Sequence, residues 1–251
     1  LEFLVEPKDL NINYIIACYF GQRRTKTAKS PEDFLEMHLK WLQENQIALG
    51  RVTVVINAED ISQATCAANL VAKYKPYYTD LRFFVRRNIG HSYGAWSDAI
   101  ETNLDNDEHF SHYFLIEDDY LPNDPKFIDY FLSKFIGNVA YVCQLILPPQ
   151  PGIIRHASIS NGLLHGAAAS GMRRIGERVF VIHPSIDYKD AEVNQVRFLD
   201  NLFEHGFDMN DVSDITSIEF VEKSARTDWR LKTMYFGDQS KPLIIKPIIE
   251  L

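Results

Sequence analysis

The sequence predicts an α/β protein built on a mostly parallel, Rossmann-like sheet with helices on both faces. Three observations carry that reading. Short apolar, β-branched runs alternate with stretches whose apolar residues recur at helical spacing, the order that produces a parallel sheet. The runs are bounded by Gly, Pro, Asn and Asp, so each ends in a turn. One run, His112-Tyr113-Phe114-Leu115-Ile116, passes directly into three acids, Glu117-Asp118-Asp119, and then into Tyr120-Leu121-Pro122. Unpaired buried charge is too costly for a strand to hold three adjacent carboxylates in the core. The acids therefore sit at the strand's C-terminal tip, where open α/β sheets bind ligands. Adjacent like charges repel and call for a cation. Hard divalent ions such as Mg²⁺ or Mn²⁺ take oxygen ligands and bridge carboxylates to substrate phosphates.

The elements follow in order. Asn13 to Phe20 reads as a first buried strand, ending in the turn Gly21-Gln22-Arg23-Arg24, whose two cations face any ligand at that tip. Ser30-Pro31-Glu32-Asp33 is a helix start: Ser as N-cap, Pro at the first position, acids in the first turn. Phe34, Leu35, His38, Trp41 and Leu42 then share one face, which makes His38 a packed histidine. Arg51 to Asn57 is a second strand, with Glu59 and Asp60 beyond its tip as candidates to start the helix Ile61 to Tyr74. Leu81 to Val85 is a third strand. The loop Arg86 to Trp96 has an Asn and two glycines, and a helix N-terminus beneath such a loop favours anions. Past the acids, Asp124-Pro125 reads as a helix start, with Phe127, Ile128, Phe131, Leu132 and Phe135 as a core stripe. Val139 to Ile146 is a fifth strand, and Pro148-Pro149-Gln150-Pro151-Gly152 breaks the chain. Ser158 to Arg174 is rich in small residues. Val193 to Gly206 reads as a helix closed by glycine, and Ser217 to Phe220 as a strand. The tail Pro242 to Ile249, with two prolines, is an edge strand or a wrapped extension.

Composition bounds the function. The chain has 251 residues, 46% of them hydrophobic, enough for one large α/β domain. A net charge of −8 argues against a nucleic-acid partner, whose footprint would be basic. Cys18, Cys66 and Cys143 are far apart in apolar contexts and read as buried free thiols of a reducing compartment. No apolar run approaches the ~18 residues of a membrane span. With no signal peptide at the start, the expected location is cytoplasmic.

The Glu117-Asp118-Asp119 tip resembles the Glu-Asp-Asp version of the acidic DxD element of GT-A glycosyltransferases, and Asn88 to Trp96 resembles the N-x-G-x-D-x-G-A-W segment of rhamnan-synthesis-type members. Asn88, Gly90 and Gly94 match that segment; Ser92 stands where an Asp is often found. The resemblance covers roughly residues 13 to 206 and implies a single GT-A domain over 1–251. Its donor half is about 13–147, and its acceptor half with a C-terminal extension about 153–251. It implies Asp119 as ligand of Mn²⁺ or Mg²⁺, and Glu117 and Asp118 near the ribose and diphosphate of a nucleoside-diphosphate sugar. Further donor contacts are implied at Ala17, Tyr19, Arg23, Asn57, Asn88, Gly90, Ser92, Gly94 and His165, and in a segment that leads into a helix beginning at Arg173-Arg174.

In GT-2-like members a Glu-Asp pair about a dozen residues before a Gly supplies the catalytic base. Counted back from Gly206, those positions are Asn194 and Gln195, which cannot act as bases. The nearest acids are Asp190, favoured, and Glu192. Arg226 and His183 are further candidates to reach the diphosphate or metal. The implied reaction is metal-dependent, inverting transfer of a sugar to a glycan or glycoprotein acceptor, with a retaining course left open. A nucleotidyltransferase and a non-catalytic nucleotide- or glycan-binding module are the rival readings.

Overall fold

The computed structural model describes residues 10–21, 30–89, 91–118, 120–121, 125–143, 169–174, 204–211, 216–220, 232–236 and 243–247. Among them the chain runs β1 (Ile12–Phe20), α1 (Pro31–Glu44), β2 (Arg51–Ala58), α2 (Ile61–Tyr74), β3 (Leu81–Arg86), α3 (His91–Asp105), β4 (His112–Glu117), β5 (Tyr120–Leu121), α4 (Phe127–Leu132), β6 (Val139–Cys143), β7 (Ala169–Arg173), β8 (Asp208–Asp211), β9 (Thr216–Phe220), β10 (Lys232–Phe236) and β11 (Leu243–Pro247). Seven strands form the main sheet in the order β3-β2-β1-β4-β7-β6-β8. β3, β2, β1 and β4 are parallel, β7 runs antiparallel between β4 and β6, and β8 is parallel to β6. Three parallel strands are laid down in one direction from β1, and β4 then takes the other side of β1. That reversal opens a crevice at the C-terminal ends of β1 and β4.

The helix starts obey local chemistry. At α1, Ser30 Oγ accepts from Asp33 N–H (3.2 Å) and Asp33 returns the bond to Ser30 N–H (2.7 Å), a closed capping box with Pro31 at the first position. At α2, Asp60 is the cap, accepting from Ser62 and Gln63 N–H. The two sheet faces bury separate clusters. Ile12, Tyr14, Ile16, Val54, Phe114 and Ile116 pack with residues of α1, α2 and α4 on one face. Ile15, Ala17, Val55, Tyr113 and Leu115 pack with Ala95, Trp96, Ala99 and Ile100 of α3 on the other. Each large apolar side chain so buried contributes about 1.5–3 kcal/mol.

Several expectations are corrected. Cys18 is buried, but Cys66 is exposed, because it falls on the outer face of α2. α4 starts at Phe127 with Lys126 as N-cap, so Pro125 lies in the preceding turn; Phe135 is buried past the helix end. Arg173 ends strand β7 and does not begin a helix. Its guanidinium donates to the Phe135 and Gly137 carbonyls and lies over the Phe135 ring. Of the segment expected to be a helix from Val193 to Gly206, residues 193–203 lie outside the described residues; Glu204 is helical and Gly206 follows with φ 76°. The C-terminal tail wraps back as β11. It pairs with β10 on one side and, through Lys246 and Pro247, with Leu121 and Tyr120 of β5, in a second sheet ordered β5-β11-β10-β9.

The opposite end of the main sheet is held by an ion network. Arg51, 6% exposed, donates to Asp80 (2.7 Å), Asn103 (3.0 Å) and both oxygens of Glu108 (2.6 and 3.0 Å), while Arg82 bridges Asp80 and Glu108. Arg51 above all, then Arg82, holds the Glu108 carboxyl down at about 2. Removing Arg51 leaves the part-exposed Asp80 and Glu108 carboxylates to Arg82 alone, so Arg51→Leu is expected to lower the unfolding free energy by about 1–3 kcal/mol, read from urea midpoints. Glu108 has a folded pKa below its ordinary value of 4.5. Its contribution is therefore fully present above that value and lost as pH falls through about 2. The midpoint gap between wild type and Glu108→Gln should close over that window.

Candidate functional site

The crevice is closed at its base by one residue. The β1–β4 ladder ends with Ala17 opposite Glu117. Asp118 follows and continues the junction: its N–H donates to the Ala17 carbonyl (3.1 Å) and its Oδ2 accepts from the Tyr19 N–H (3.2 Å). It is 3% exposed, a burial that a carboxylate tolerates when it is hydrogen-bonded. Asp118 thus clips the two strands together just past their last paired residues. Glu117, half-buried at the end of β4, accepts a short hydrogen bond from the Ser92 hydroxyl.

Ser92 is positioned by α3, which begins at His91. The glycine-bearing segment is therefore half loop and half first turn, with Ser92 and Gly94 inside the helix. This brings the positive end of a 15-residue helix to the acids. Gly94 is needed for packing: a Cβ there would lie 2.1 Å from the Ile89 carbonyl oxygen and 2.9 Å from Arg86 Nη2. Trp96 is in the core, and its indole N–H donates to the carbonyl of Ile116, the residue before Glu117 (3.3 Å).

Arg86, 10% exposed, ties this wall together. Its guanidinium pairs with Asp98 of α3, donates to Asn57 Oδ1 at the tip of β2 (2.7 Å) and to the Ile89 carbonyl in the loop (2.8 Å). Asn57 is 2% exposed, so its carbonyl oxygen is committed within the protein. On the other wall the Tyr19 hydroxyl donates to Glu59 Oε1 (2.6 Å), and the Tyr19 ring lies where a Cβ on Gly21 would come within 2.4 Å of it. Of the two acids past β2, Asp60 caps α2 and Glu59 receives Tyr19.

The structure therefore brings Ala17, Tyr19, Asn57, Asn88, Ser92, Gly94, Glu117 and Asp118 to one end of the sheet. Asp119, Arg23, Gly90, His165, Asp190 and Glu192 lie outside the described residues, as do His183 and Arg226. Arg86 is the residue that sequence reading missed. It ends a strand beside a second arginine, and neither hydrophobic periodicity nor turn chemistry distinguishes the half-buried one from its exposed neighbour Arg87. Among the described residues no group of three or more His, Cys, Asp or Glu side chains converges on a metal position. The donors present at the tip, Glu117 and Asp118 with Asp119 next in sequence, are all carboxylate oxygens, a set that fits a hard divalent ion.

No protein-family model matches the chain, and no curated protein matches it in sequence. Solved structures do match. The mannosyltransferase PcManGT from Pyrobaculum calidifontis, solved with GDP-Man and Mn²⁺, aligns over 88% of this chain with a TM-score of 0.52 and 12% identity. This chain spans 60% of that protein's length. Glucosyl-3-phosphoglycerate synthase from Mycobacterium tuberculosis, solved with Mn²⁺, UDP and glucosyl-3-phosphoglycerate, aligns over 96% of this chain and 91% of its own (TM-score 0.45, 7% identity). A CMP:2-keto-3-deoxy-manno-octonic acid synthetase solved with CTP aligns over 80% of this chain and 88% of its own (TM-score 0.43, 12% identity). The likeness to the mannosyltransferase is one of fold: this chain has an α/β, Rossmann-like GT-A fold.

Because Gly94 sits against the Ile89 backbone, Gly94→Ala forces the loop off the helix. The expected cost is about 1–3 kcal/mol of stability, measured by chemical denaturation, as for other overpacked sites.

Proposed function

We propose that the chain is a metal-dependent glycosyltransferase, which moves a sugar from a nucleoside-diphosphate sugar to a glycan or glycoprotein acceptor. The observation that carries this reading is the acidic tip at the sheet's reversal point, faced by the start of α3 through Ser92. That the mannosyltransferase of the same fold was solved with GDP-Man and Mn²⁺ supports the donor class and the metal.

In this reading Asp119 holds Mn²⁺ or Mg²⁺, Glu117 stands near the ribose and diphosphate, and Asp118 between them in sequence is fixed by its bonds to β1. The ion, when bound, offsets the charge of the leaving diphosphate as a Lewis acid. Ser92 orients Glu117, and the amide end of α3 adds positive potential on the same side. The Asn57–Arg86–Ile89 links hold the β2 tip and the Asn88 loop as a fixed wall for the nucleoside. Tyr19, held to Glu59, forms the facing wall, with Ala17 at the floor between them. Arg23, Gly90 and His165 complete the donor contacts. Residues about 13–147 form the donor half and 153–251 the acceptor half. Asp190, ahead of Glu192, takes the acceptor hydroxyl's proton in an inverting displacement.

A panel of UDP-, GDP- and dTDP-sugars with Mn²⁺, and with EDTA in its place, tests this. Donor hydrolysis or transfer should require the metal, and Asp119→Ala should lower it at least about 10²-fold. Turnover that survives both EDTA and Asp119→Ala would sink the assignment. Release of pyrophosphate from a nucleoside triphosphate would replace it with nucleotidyl transfer.

A further inference from the structure

A cavity of about 230 Å³ opens at the end of the main sheet away from the acidic tip, between the C-terminal turn of α1, the start of β2 and the segment that leads into β3. Leu42, Ile47, Leu49 and Val52 give it an apolar floor. Gln43, Gln46, Tyr77 and Thr79 surround that floor with polar groups. Among the described residues, none of these four side chains is engaged in a hydrogen bond. Arg51 and Asp80 also reach the cavity, but they are paired with each other, and Arg51 gives its remaining donors to Asn103 and Glu108. The walls thus offer free amides and hydroxyls, while their cation and their anion answer each other.

Two features set this cavity apart from an ordinary surface cleft. Tyr77 is 62% exposed, and its ring is backed by Tyr74, with centroids 6.3 Å apart. A large aromatic side chain left in water at the lip of a concave site is a ready stacking surface. The neighbouring Tyr78 is anchored through its hydroxyl to the Leu39 carbonyl, which fixes this wall to α1. The second feature is Gln46. It follows the helix cap Asn45 with φ 48°, and its N–H and that of Ile47 return to the carbonyls of Gln43 and Leu42 (3.1 and 3.4 Å). That is the left-handed position which glycine usually fills at the end of a helix. Glutamine has no conformational advantage there. What it adds over glycine is an amide side chain at the edge of the cavity.

We propose that this cavity binds a neutral saccharide. A sugar ring presents an apolar C–H face, which suits the Tyr77 ring and the floor beneath it. Its hydroxyls both donate and accept, and they meet the Gln43 and Gln46 amides and the Thr79 hydroxyl, groups of the same dual character. A phosphate or carboxylate would enter without a counter-charge, because the Arg51 guanidinium is already answered. The cavity lies at the opposite end of the strands from the acidic tip, so it does not hold the sugar being transferred. Where the chain acts on a glycan, as proposed above, the bound unit is one remote from the reacting end, and two contacts on one chain raise its effective concentration. Saccharide binding itself does not depend on that activity.

Nuclear magnetic resonance titration of the isotope-labelled full chain tests this. The methyl glycosides of glucose, galactose, mannose and N-acetylglucosamine are added in the presence of EDTA, and the amides of residues 42–52 and 75–80 are followed. At least one glycoside should shift them saturably. Tyr77→Ala and Gln46→Gly should each weaken that binding at least about threefold, and the two together about tenfold or more. Gln46→Gly should match or exceed the wild-type urea midpoint, because glycine takes φ 48° without strain, so its loss of binding is not loss of fold. The proposal fails if no glycoside of the panel moves these amides, if both variants bind as wild type does, or if adenosine or uridine occupies the cavity and no glycoside does. EDTA and Asp119→Ala should leave the cavity's binding unchanged, which keeps its outcome separate from that of the donor assays.

Discussion

The structure depends on the way β4 is fastened beside β1. Parallel pairing carries the two strands together from Ile12–His112 to Ala17–Glu117, and then Asp118 takes over from the ladder with its own N–H and carboxylate. A parallel sheet covered on both faces has little tolerance for charge along its strands. Acidic residues can therefore appear only where the strand leaves the core, and here they begin at its last residue. The clip also relates Glu117 to the first turn of α3, because Trp96 of that helix bonds the carbonyl immediately before it.

The walls of the crevice extend the same logic outward. Arg86 is nearly buried, which a guanidinium permits only when its donors are answered. Asp98, Asn57 and the Ile89 carbonyl answer them, one each from α3, β2 and the loop. A group satisfied from three elements holds all three at fixed spacing. Gly94 makes the arrangement sterically feasible, since any side chain there would enter the space of the Ile89 carbonyl and of Arg86 itself. At the far end of the sheet Arg51 plays the comparable part for β2, the β3 approach and the turn after α3 through Asp80, Asn103 and Glu108. Two arginines thus tie the layers at opposite ends, with apolar contact between.

Much of the parallel half was legible because its signals are local. β-branched runs, the Ser30 capping box and the Ile61–Tyr74 stripe are each decided within a few residues, and the structure has those elements. What local reading lost was long-range. β7 is an antiparallel insertion between β4 and β6, so Arg173 caps a strand where the resemblance led to a helix start. Whether Pro247 belongs to an edge strand depends on Tyr120, more than a hundred residues away. Cys66 sits in a run of small residues that looks apolar in sequence, and only the orientation of α2 shows which of them faces water. At the site, the residue types at the strand tips could be read directly. The partner of each could not, and so Asn57 and Asp118 emerge as residues committed within the protein as much as candidates for a ligand.

The charge balance at the tip separates the acids by role. Three consecutive carboxylates bring three negative charges. Among the groups that meet them are the Tyr19 N–H on Asp118, the Ser92 hydroxyl on Glu117, and the start of α3, whose dipole counts for roughly half a positive charge. Neutral donors orient a carboxylate but do not cancel it. Asp118, turned into the β1 main chain, is balanced by hydrogen bonds in the manner of a buried structural acid. Glu117 accepts from the Ser92 hydroxyl at the start of α3, and Asp119 follows two residues on in the sequence. In the proposed reading a divalent cation offsets this acidic pair in one small volume, and a diphosphate ligand then has a reason to approach an acidic surface that would otherwise repel it.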